Sequence, residues 1–291
     1  MKVLVLGSHG QLGRCLYDQI NNYEYKTVFT SRLEIDITDL SCLRKKIIKI
    51  NPDIIINAAA YTQVDQAEKC FNKANLINNI AVSKLAEICS ESNYWLIHIS
   101  TDYVFDGEAT IPYIETDLTN PKCVYGSSKL NGEKALISSG CKYIIVRTSW
   151  VFSEYGTNFM KTMLDLGKKY SKISVVGDQF GCPTYAQDIA KAILHITQQI
   201  EIDNLESSIY HYAGHSICSW YEFCLFIFSE AKKIGYSIPN EVVKISTSEY
   251  PTAAFRPKYS ALNTNKFQKK FAFKSSDWQK AVKDVLKALN D

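Results

Sequence analysis

Short apolar runs alternate with helical patterns through the first half of the chain, and this alternation constrains the fold more than any other feature. The runs are not interrupted by polar residues, which is typical of parallel strands buried on both faces. With right-handed crossovers they predict a doubly wound, Rossmann-type α/β fold. The predicted strands are Lys2–Leu6, Lys26–Thr30, Asp53–Ala59, Trp95–Ser100 and Tyr143–Ser149, and the predicted helices run from a glycine turn to about Asn21 and over Leu40–Ile50, Ala74–Ser92 and Ser127–Ser138.

The pattern is less regular after Trp150. The sequence there predicts short strands at Ile173–Val176 and Ile209–Ala213, and helices at Thr157–Lys169, Tyr185–Gln199, Ser219–Lys233 and Asp277–Leu289. A chain of 291 residues can form one large domain or two small ones. We expect residues 1–150 to form the Rossmann domain, with 185–215 packing back on it, and residues 151–184 and 216–291 to form a smaller, interleaved substrate-binding lobe.

The composition excludes several classes of protein. Lys and Arg total 33 against 30 Asp and Glu, whereas nucleic-acid binders usually carry a strongly basic face. The apolar runs are far shorter than the ~18 residues of a membrane span, and the run at Val3–Gly7 fits a first strand better than an export signal. The nine cysteines are an odd number without a C-x-x-C pair, which favours reduced thiols. We therefore expect a cytoplasmic protein that binds neither nucleic acids nor membranes.

A glycine-rich turn, Gly7-x-x-Gly10-x-x-Gly13, joins the first strand to the first helix. The first glycine permits a tight turn, the second lets backbone N–H groups approach a pyrophosphate, and the third lets the helix pack on the strand. Glycines also simply end strands, but this position in a βαβ unit indicates a dinucleotide site.

The end of the second strand bears on which dinucleotide is bound. A site specific for NAD usually has an acid there, whereas this chain reads Phe29-Thr30-Ser31-Arg32. Ser31 and Arg32 could receive a 2′-phosphate, so we favour NADPH and leave NADH open, with Arg32 as a plain solvated residue the alternative. Asp36 and its neighbour Ile37, with the run after Asn57, are expected to line the adenine and ribose pocket.

Tyr125 and Lys129 form a Y-x-x-x-K pair at the start of a predicted helix, where residues four apart share a face. An acid–base tyrosine needs its pKa moved from about 10 to about 7, and a neighbouring ammonium favours that shift. Thr101 ends a buried strand, at the edge where doubly wound sheets bind ligands, and can hydrogen-bond a substrate carbonyl. Together these features indicate an extended short-chain dehydrogenase/reductase.

Within that superfamily the chain resembles the dTDP-4-dehydrorhamnose reductases along nearly its whole length. The resemblance is carried, in order, by Gly10–Gly13, NAAAYTQVDQAE (Asn57–Glu68), STDYVFDG (Ser100–Gly107), YGSSKLNGE (Tyr125–Glu133), RTSWVF (Arg147–Phe152), NFMKTML (Asn158–Leu164), GDQFGCPT (Gly177–Thr184) and RPKYSAL (Arg256–Leu262). It implies reduction of the C4 ketone of dTDP-4-dehydro-L-rhamnose with NAD(P)H, a step in dTDP-rhamnose and polysaccharide biosynthesis.

The resemblance also assigns roles. Thr101, Tyr125 and Lys129 would be the catalytic group. The cofactor would contact Gly7, Gly10, Gln11, Leu12, Gly13, Ala58, Ala59, Ala60 and Tyr61, and the nucleotide sugar would contact Thr101, Asp102, Trp150, Val64, Asn158, Gln179 and Arg256. Two readings stay open here, since Trp150 could be a core residue and Arg256 could pair with an acid instead of a pyrophosphate.

One position departs from the family pattern. Some members bridge a homodimer through Mg²⁺ bound by carboxylates, and a Glu often follows the glycine loop there. This chain has Cys15, a poor ligand for Mg²⁺. We therefore expect no metal site, and a homodimer is left open.

Four alternatives share the fold or the motif. A 4,6-dehydratase commonly has Asp-Glu after the strand-end Thr, whereas this chain has Asp102-Tyr103. A 4-epimerase, or a reductase of another nucleotide 6-deoxysugar, would keep Tyr125 and Lys129. A noncatalytic regulatory subunit is the alternative outside enzymes.

Overall fold

Six parallel strands form the central sheet of this computed structural model, which describes residues 1–202 and 205–290. The strands are β1 (Lys2–Leu6), β2 (Lys26–Thr30), β3 (Ile54–Asn57), β4 (Trp95–Thr101), β5 (Lys142–Thr148), β6 (Val151–Phe152), β7 (Lys172–Val176), β8 (Phe180–Gly181), β9 (Thr184–Tyr185), β10 (Ser208–His211), β11 (Cys218–Ser219) and β12 (Glu241–Ile245). The sheet order is β2-β1-β3-β4-β5-β10. The order reverses between β1 and β3, which is where such sheets bind nucleotides.

Helices cover both faces of this sheet. They are α1 (Gln11–Ile20), α2 (Leu40–Ile50), α3 (Val64–Lys69), α4 (Phe71–Asn75), α5 (Ala81–Ser92), α6 (Val124–Ser138), α7 (Phe159–Lys169), α8 (Ala186–Ile202), α9 (Trp220–Lys233), α10 (Asn265–Phe271) and α11 (Trp278–Ala288). In β1, Val3 and Val5 pack with α1 and α8, whereas Leu4 and Leu6 pack with α2 and α5. This period of two explains why the strand is apolar throughout and confirms the predicted doubly wound fold. Among the described helices, none has the length and apolar character needed to cross a membrane.

A second hydrophobic core lies beyond β5. Phe152, Met160, Phe223 and Trp278 bring β6, α7, α9 and α11 together. Two-stranded pairs complete this region, and β7 pairs in parallel with β12.

The structure departs from the predicted elements in particular places. The single helix expected over Ala74–Ser92 is α4, a π-helical turn at Leu76–Ile80 and α5. The strand β12 and the helix α10 were not predicted. Although α10 lies in the segment assigned to the smaller lobe, its Phe267 and Phe271 pack with α8 and Tyr210 of β10. The boundaries of the two domains stay a prediction.

Candidate active site

The glycine loop is shaped by close backbone contacts. Gly7 has φ +84°, and its N–H donates to the carbonyl of Thr30 at 3.0 Å. A Cβ at Gly13 would lie 2.3 Å from the Gly7 carbonyl oxygen, so this position requires glycine. At Gly10 a Cβ would come no closer than 3.4 Å to that oxygen, and Gly10 is the N-cap of α1. Because no side chain covers the backbone at Gly10, the free N–H groups in the first turn of α1 are accessible to an anion such as a pyrophosphate.

The loop after β2 holds two carboxylates. Glu34 accepts a hydrogen bond from the N–H of Ser31 at 2.7 Å, and Asp36 pairs with Arg32 at 3.0 Å. Asp36 also accepts from Thr38, and these bonds lower its pKa against the opposing effect of burial. The sequence argument found no acid at the end of β2, but Glu34 lies against it. The loop therefore contains one guanidinium, paired with Asp36, and two carboxylates, and the role of Arg32 toward a 2′-phosphate stays a prediction.

The segment after β3 is held by one buried amide. Asn78, in the π-helical turn, accepts from the Tyr61 N–H at 2.8 Å and donates to the Tyr61 carbonyl at 3.0 Å. It also donates to Ser128 on α6 at 3.0 Å. The predicted cofactor segment is thereby tied to the helix of Tyr125. Sequence reasoning missed Asn78, because neither motif nor spacing marks a residue whose role is set by a π-helical turn.

Thr101 and Tyr125 meet at the carboxyl end of β4. Cys123 caps the N-terminus of α6, accepting from the Gly126 N–H, so Tyr125 lies in the first turn. Burial raises the pKa of Tyr125 well above its ordinary value, and the neighbouring Thr101 hydroxyl opposes that rise. Val64 and Tyr61 lie in the same apolar cluster as Tyr125. The structure thus brings together residues from β3, β4 and α6 that are distant in sequence.

Asp102 follows Thr101 and is buried, with 3% of its surface exposed. Its Oδ1 accepts from the Thr101 hydroxyl at 3.0 Å, while Oδ2 has no partner among the described residues. Burial raises the pKa of Asp102 to about 6. This carboxyl can hold or release a proton near neutrality beside Tyr125.

Lys129 lies one helical turn beyond Tyr125 and is 2% exposed. Its Nζ donates to the carbonyl of Ile99 at 2.5 Å and lies 3.3 Å from Nε2 of His98. Burial lowers the pKa of Lys129 to about 8, although Glu133 raises it. Sequence reasoning also missed His98, although it stands three residues before Thr101 on a buried strand, where a polar side chain needs a partner.

The remaining candidates connect the sheet to the smaller lobe. Arg256 pairs with Asp65, and its Nη1 donates to the Tyr103 hydroxyl at 2.9 Å. The Tyr103 ring packs edge-on against Tyr125, with centroids 5.6 Å apart. Arg256 therefore does pair with an acid, and it lies within two side chains of Tyr125.

Trp150 has φ +47°, which a non-glycine residue seldom adopts. Its ring stacks on Trp220 with centroids 3.4 Å apart, and a Cβ at Gly181 would lie 2.5 Å from the indole. Packing from both sides thus fixes the ring at the junction of sheet and lobe.

Asn158 and Gln179 bond within the protein. The Asn158 amide donates to Gln11 at 2.9 Å and its oxygen accepts from the N–H of Lys161, which caps α7. Gln179 donates to Thr247 at 3.1 Å. Gln11 also accepts from Ser153, so the glycine loop is joined to the lobe.

Several predicted cofactor residues have simple packing positions. Leu12, in the first turn of α1, packs against the core, and Ile37 is buried with 6% exposed. Cys15 is fully buried in α1, and burial raises the pKa of its thiol. Among the described residues, no group of three or more His, Cys, Asp or Glu side chains is arranged to hold a metal ion.

A parallel sheet that opens on a glycine loop and places a buried Tyr–Lys pair beside a strand-end Thr has the architecture of the extended short-chain dehydrogenases/reductases. Over residues 1–290 the sequence matches the family described as RmlD substrate binding domain, and the chain belongs to that family.

Relatives agree with this assignment along the whole chain. A dTDP-4-dehydrorhamnose reductase of Aggregatibacter actinomycetemcomitans is 43% identical over 288 residues, covering 98% of each protein. The crystal structure of such a reductase from Clostridium acetobutylicum superposes with a TM-score of 0.92 at 36% identity, covering 100% of both chains. A Bacillus anthracis dTDP-4-dehydrorhamnose reductase, solved in complex with NADP, gives a TM-score of 0.90 at 38% identity, covering 99% of each chain.

Proposed function

We propose that this protein reduces the C4 ketone of dTDP-4-dehydro-L-rhamnose to dTDP-L-rhamnose with NADPH, and with NADH as a second reductant. The observation that carries the proposal is the meeting of Thr101 and Tyr125 at the end of β4, with Lys129 one turn further along α6. The relatives that match the whole chain are named for this reaction, which supports the substrate.

The residues present fit a dinucleotide. Gly7 and Gly13 allow the close backbone contacts that shape the loop, and Gly10 leaves space at the N-terminus of α1, where the helix amides would hold a pyrophosphate. Further contacts would come from Gln11, Leu12, Arg32, Asp36, Ile37, Ala58, Ala59, Ala60 and Tyr61, and from Tyr125 and Lys129 at the nicotinamide ribose. When bound, the nicotinamide supplies a hydride to the ketone carbon.

Tyr125 donates the proton that the reduced oxygen requires. Its raised pKa keeps the phenol protonated at neutral pH before the reaction. As negative charge develops on the substrate oxygen, the Tyr125 hydroxyl transfers its proton to that oxygen and becomes a phenolate. A charged Lys129 stabilises this phenolate. The Thr101 hydroxyl, whose single proton is bonded to Asp102 Oδ1 in this structure, turns from that acceptor to donate a hydrogen bond to the substrate oxygen.

The nucleotide sugar would lie between the sheet edge and the smaller lobe. Thr101, Asp102 and Trp150 would contact the sugar, and Val64, Asn158, Gln179 and Arg256 would line the rest of the site. Arg256 suits a pyrophosphate, because its guanidinium can form two parallel bonds to phosphate oxygens. That role requires the nucleotide to compete with Asp65 for Arg256. We place the reaction in the cytoplasm, in the supply of sugars for polysaccharides.

The test measures NADPH oxidation with dTDP-4-dehydro-L-rhamnose made in situ from dTDP-glucose, and identifies the product by NMR. We expect dTDP-L-rhamnose from the wild type, and a loss of turnover of about 10²-fold or more in Tyr125→Phe. Tyr94→Phe is the matched control, since Tyr94 is equally buried but bonds to Asn51. If the product is a different 6-deoxysugar, the substrate assignment is wrong and the reductase mechanism stands. Wild-type turnover in Tyr125→Phe would refute the role of Tyr125. Absence of any NAD(P)H oxidation by folded protein would favour a regulatory subunit.

A further inference from the structure

A buried network of hydrogen bonds joins Asn57 of β3 to Lys129 through His98, and the proposed reaction does not use His98. The Ala59 N–H donates to Asn57 Oδ1 at 3.2 Å. Asn57 Nδ2 lies 3.1 Å from His98 Nδ1, and His98 Nε2 lies 3.3 Å from Lys129 Nζ. Asn57, His98 and Lys129 are each 2% exposed or less, so water does not compete for these bonds.

This network of hydrogen bonds fixes the tautomer of His98. A backbone N–H only donates, so the Asn57 atom that faces Ala59 is the oxygen, and the amide nitrogen faces His98. His98 Nδ1 therefore accepts a hydrogen bond, and the ring proton is on Nε2. Burial, together with Lys129, holds the pKa of His98 well below its ordinary value, so the ring stays neutral. The N–H of Nε2 thus faces Lys129 Nζ.

A donor in that place distinguishes the two forms of Lys129. An ammonium has three donors and no acceptor, whereas a neutral amine has a lone pair that can accept from His98. We propose that His98 is a positioning residue whose Nε2–H favours the neutral amine of Lys129 and so sets the pH above which the site loses its catalytic cation. The inference rests on the proposed reductase function, in which charged Lys129 stabilises the Tyr125 phenolate.

The other groups around Lys129 are accounted for. Glu133, one turn further along α6, raises the pKa of Lys129, but its carboxylate is bound by Arg147 through two hydrogen bonds of 3.0 and 2.6 Å. From β4 the Ile99 carbonyl accepts from Nζ. Tyr125 precedes Lys129 by one turn, and the nearby charge of Asp102 raises the pKa of Tyr125. With its pKa near 8, Lys129 titrates where one hydrogen bond changes its charged fraction.

The first experiment determines the tautomer in the wild-type protein. Long-range ¹H–¹⁵N correlation spectra of protein labelled with ¹⁵N-histidine report which ring nitrogen carries the proton, and His98→Asn identifies the resonance. We expect a neutral ring protonated at Nε2 that does not titrate between about pH 5 and 8. A ring protonated at Nδ1, or one that titrates in this range, would overturn the proposal.

The second experiment follows the titration of Lys129 by ¹³Cε resonances of labelled lysine, assigned with Lys129→Met. His98→Asn can still accept from Asn57 near the place of Nδ1, but its amide is too short to place an N–H where Nε2 faces Lys129. We expect the pKa of Lys129 to rise by about 0.5 to 1 unit in this variant. The control is His195→Asn, because His195 bonds to the carbonyl of Phe271 and is remote from the site. Equal midpoints in wild type and His98→Asn would refute the proposal.

Kinetics separate this proposal from the reductase assignment. In His98→Asn the alkaline limb of kcat/KM should move upward with the Lys129 titration, whereas a merely structural role would lower activity equally at every pH. If His98→Asn does not fold, the tautomer of the wild-type protein decides the question. An inactive wild type with the expected NMR results would refute the proposed function and leave the role of His98 toward Lys129 standing.

Discussion

Breaking the ion pair between Glu133 and Arg147 should destabilise the protein strongly. Glu133 lies on α6, the helix of Tyr125 and Lys129, and Arg147 lies on β5. The guanidinium binds both carboxylate oxygens, at 3.0 and 2.6 Å, and the side chains are 3% and 1% exposed. Arg147 also packs over the ring of Phe105 at 5.1 Å. The pair therefore anchors the proposed catalytic helix to the sheet.

The magnitude follows from burial. Arg147→Met leaves the Glu133 carboxylate buried without its cation, and Glu133→Leu leaves the Arg147 guanidinium buried without its anion. Each variant should lose about 3–5 kcal/mol of unfolding free energy, because a buried charge is left uncompensated. The double variant replaces both charges by apolar groups, so its loss should be well below the sum of the two. The exposed pair Lys172–Glu241, at 3.0 Å and about 60% exposed on each side, should cost less than about 1 kcal/mol when broken.

Equilibrium urea unfolding, followed by circular dichroism at neutral pH, compares Arg147→Met, Glu133→Leu, the double variant and Lys172→Met with the wild type. Losses that add within about 0.5 kcal/mol in the double variant would refute the coupling between the two residues. A loss in Arg147→Met as small as that in Lys172→Met would refute the role of burial.

Two further predictions concern the glycine loop and the buried acid. Gly13→Ala should lower stability, since its Cβ would lie 2.3 Å from the Gly7 carbonyl oxygen, whereas Gly10→Ala should weaken NADPH binding with little change in melting temperature. Titration calorimetry measures the NADPH affinity of both variants and thermal unfolding measures their stability. Equal losses of stability in the two variants would contradict the different roles of Gly10 and Gly13. The neutral form of Asp102 is favoured in the folded state, with a pKa raised from 3.8 to about 6, so its stabilisation is present at low pH and is lost as the pH rises through 6. Asp102→Asn should therefore gain up to about 3 kcal/mol over wild type between about pH 4 and pH 7, and a constant difference between the two proteins would contradict the shift.

Much of the fold could be predicted because the signals are local. All six strands of the central sheet were predicted from the sequence, five of them as apolar runs in the first half of the chain and the sixth as the short strand at Ile209–Ala213, since burial on both faces leaves little place for polar residues. The spacing of Tyr125 and Lys129 is likewise a property of one helix, and Thr101 is marked by its place at the end of a strand.

The interruption of the helix before Ser92 could not be predicted this way. The π-helical turn at Leu76–Ile80 keeps the apolar pattern of a helix, and its consequence is a long-range contact. Asn78 bonds to Tyr61 and to Ser128, which is 50 residues away along the chain. Periodicity reports which face of a helix is buried, but not which polar group that face will meet.

The sequence alone determined the doubly wound fold, the glycine loop and the place of Tyr125 and Lys129 on one helix face, because each depends on the spacing of residues close together in the chain. Thr101 was predicted to lie at the site from its position at the end of a buried strand. Only the tertiary structure decided that His98 faces Lys129, that Arg256 pairs with Asp65 and that Glu133 binds Arg147. These contacts join different elements, and their geometry depends on how helices and strands pack. Burial then sets the charge of Lys129 and Asp102, because the cost of a charge depends on the groups that surround it in three dimensions.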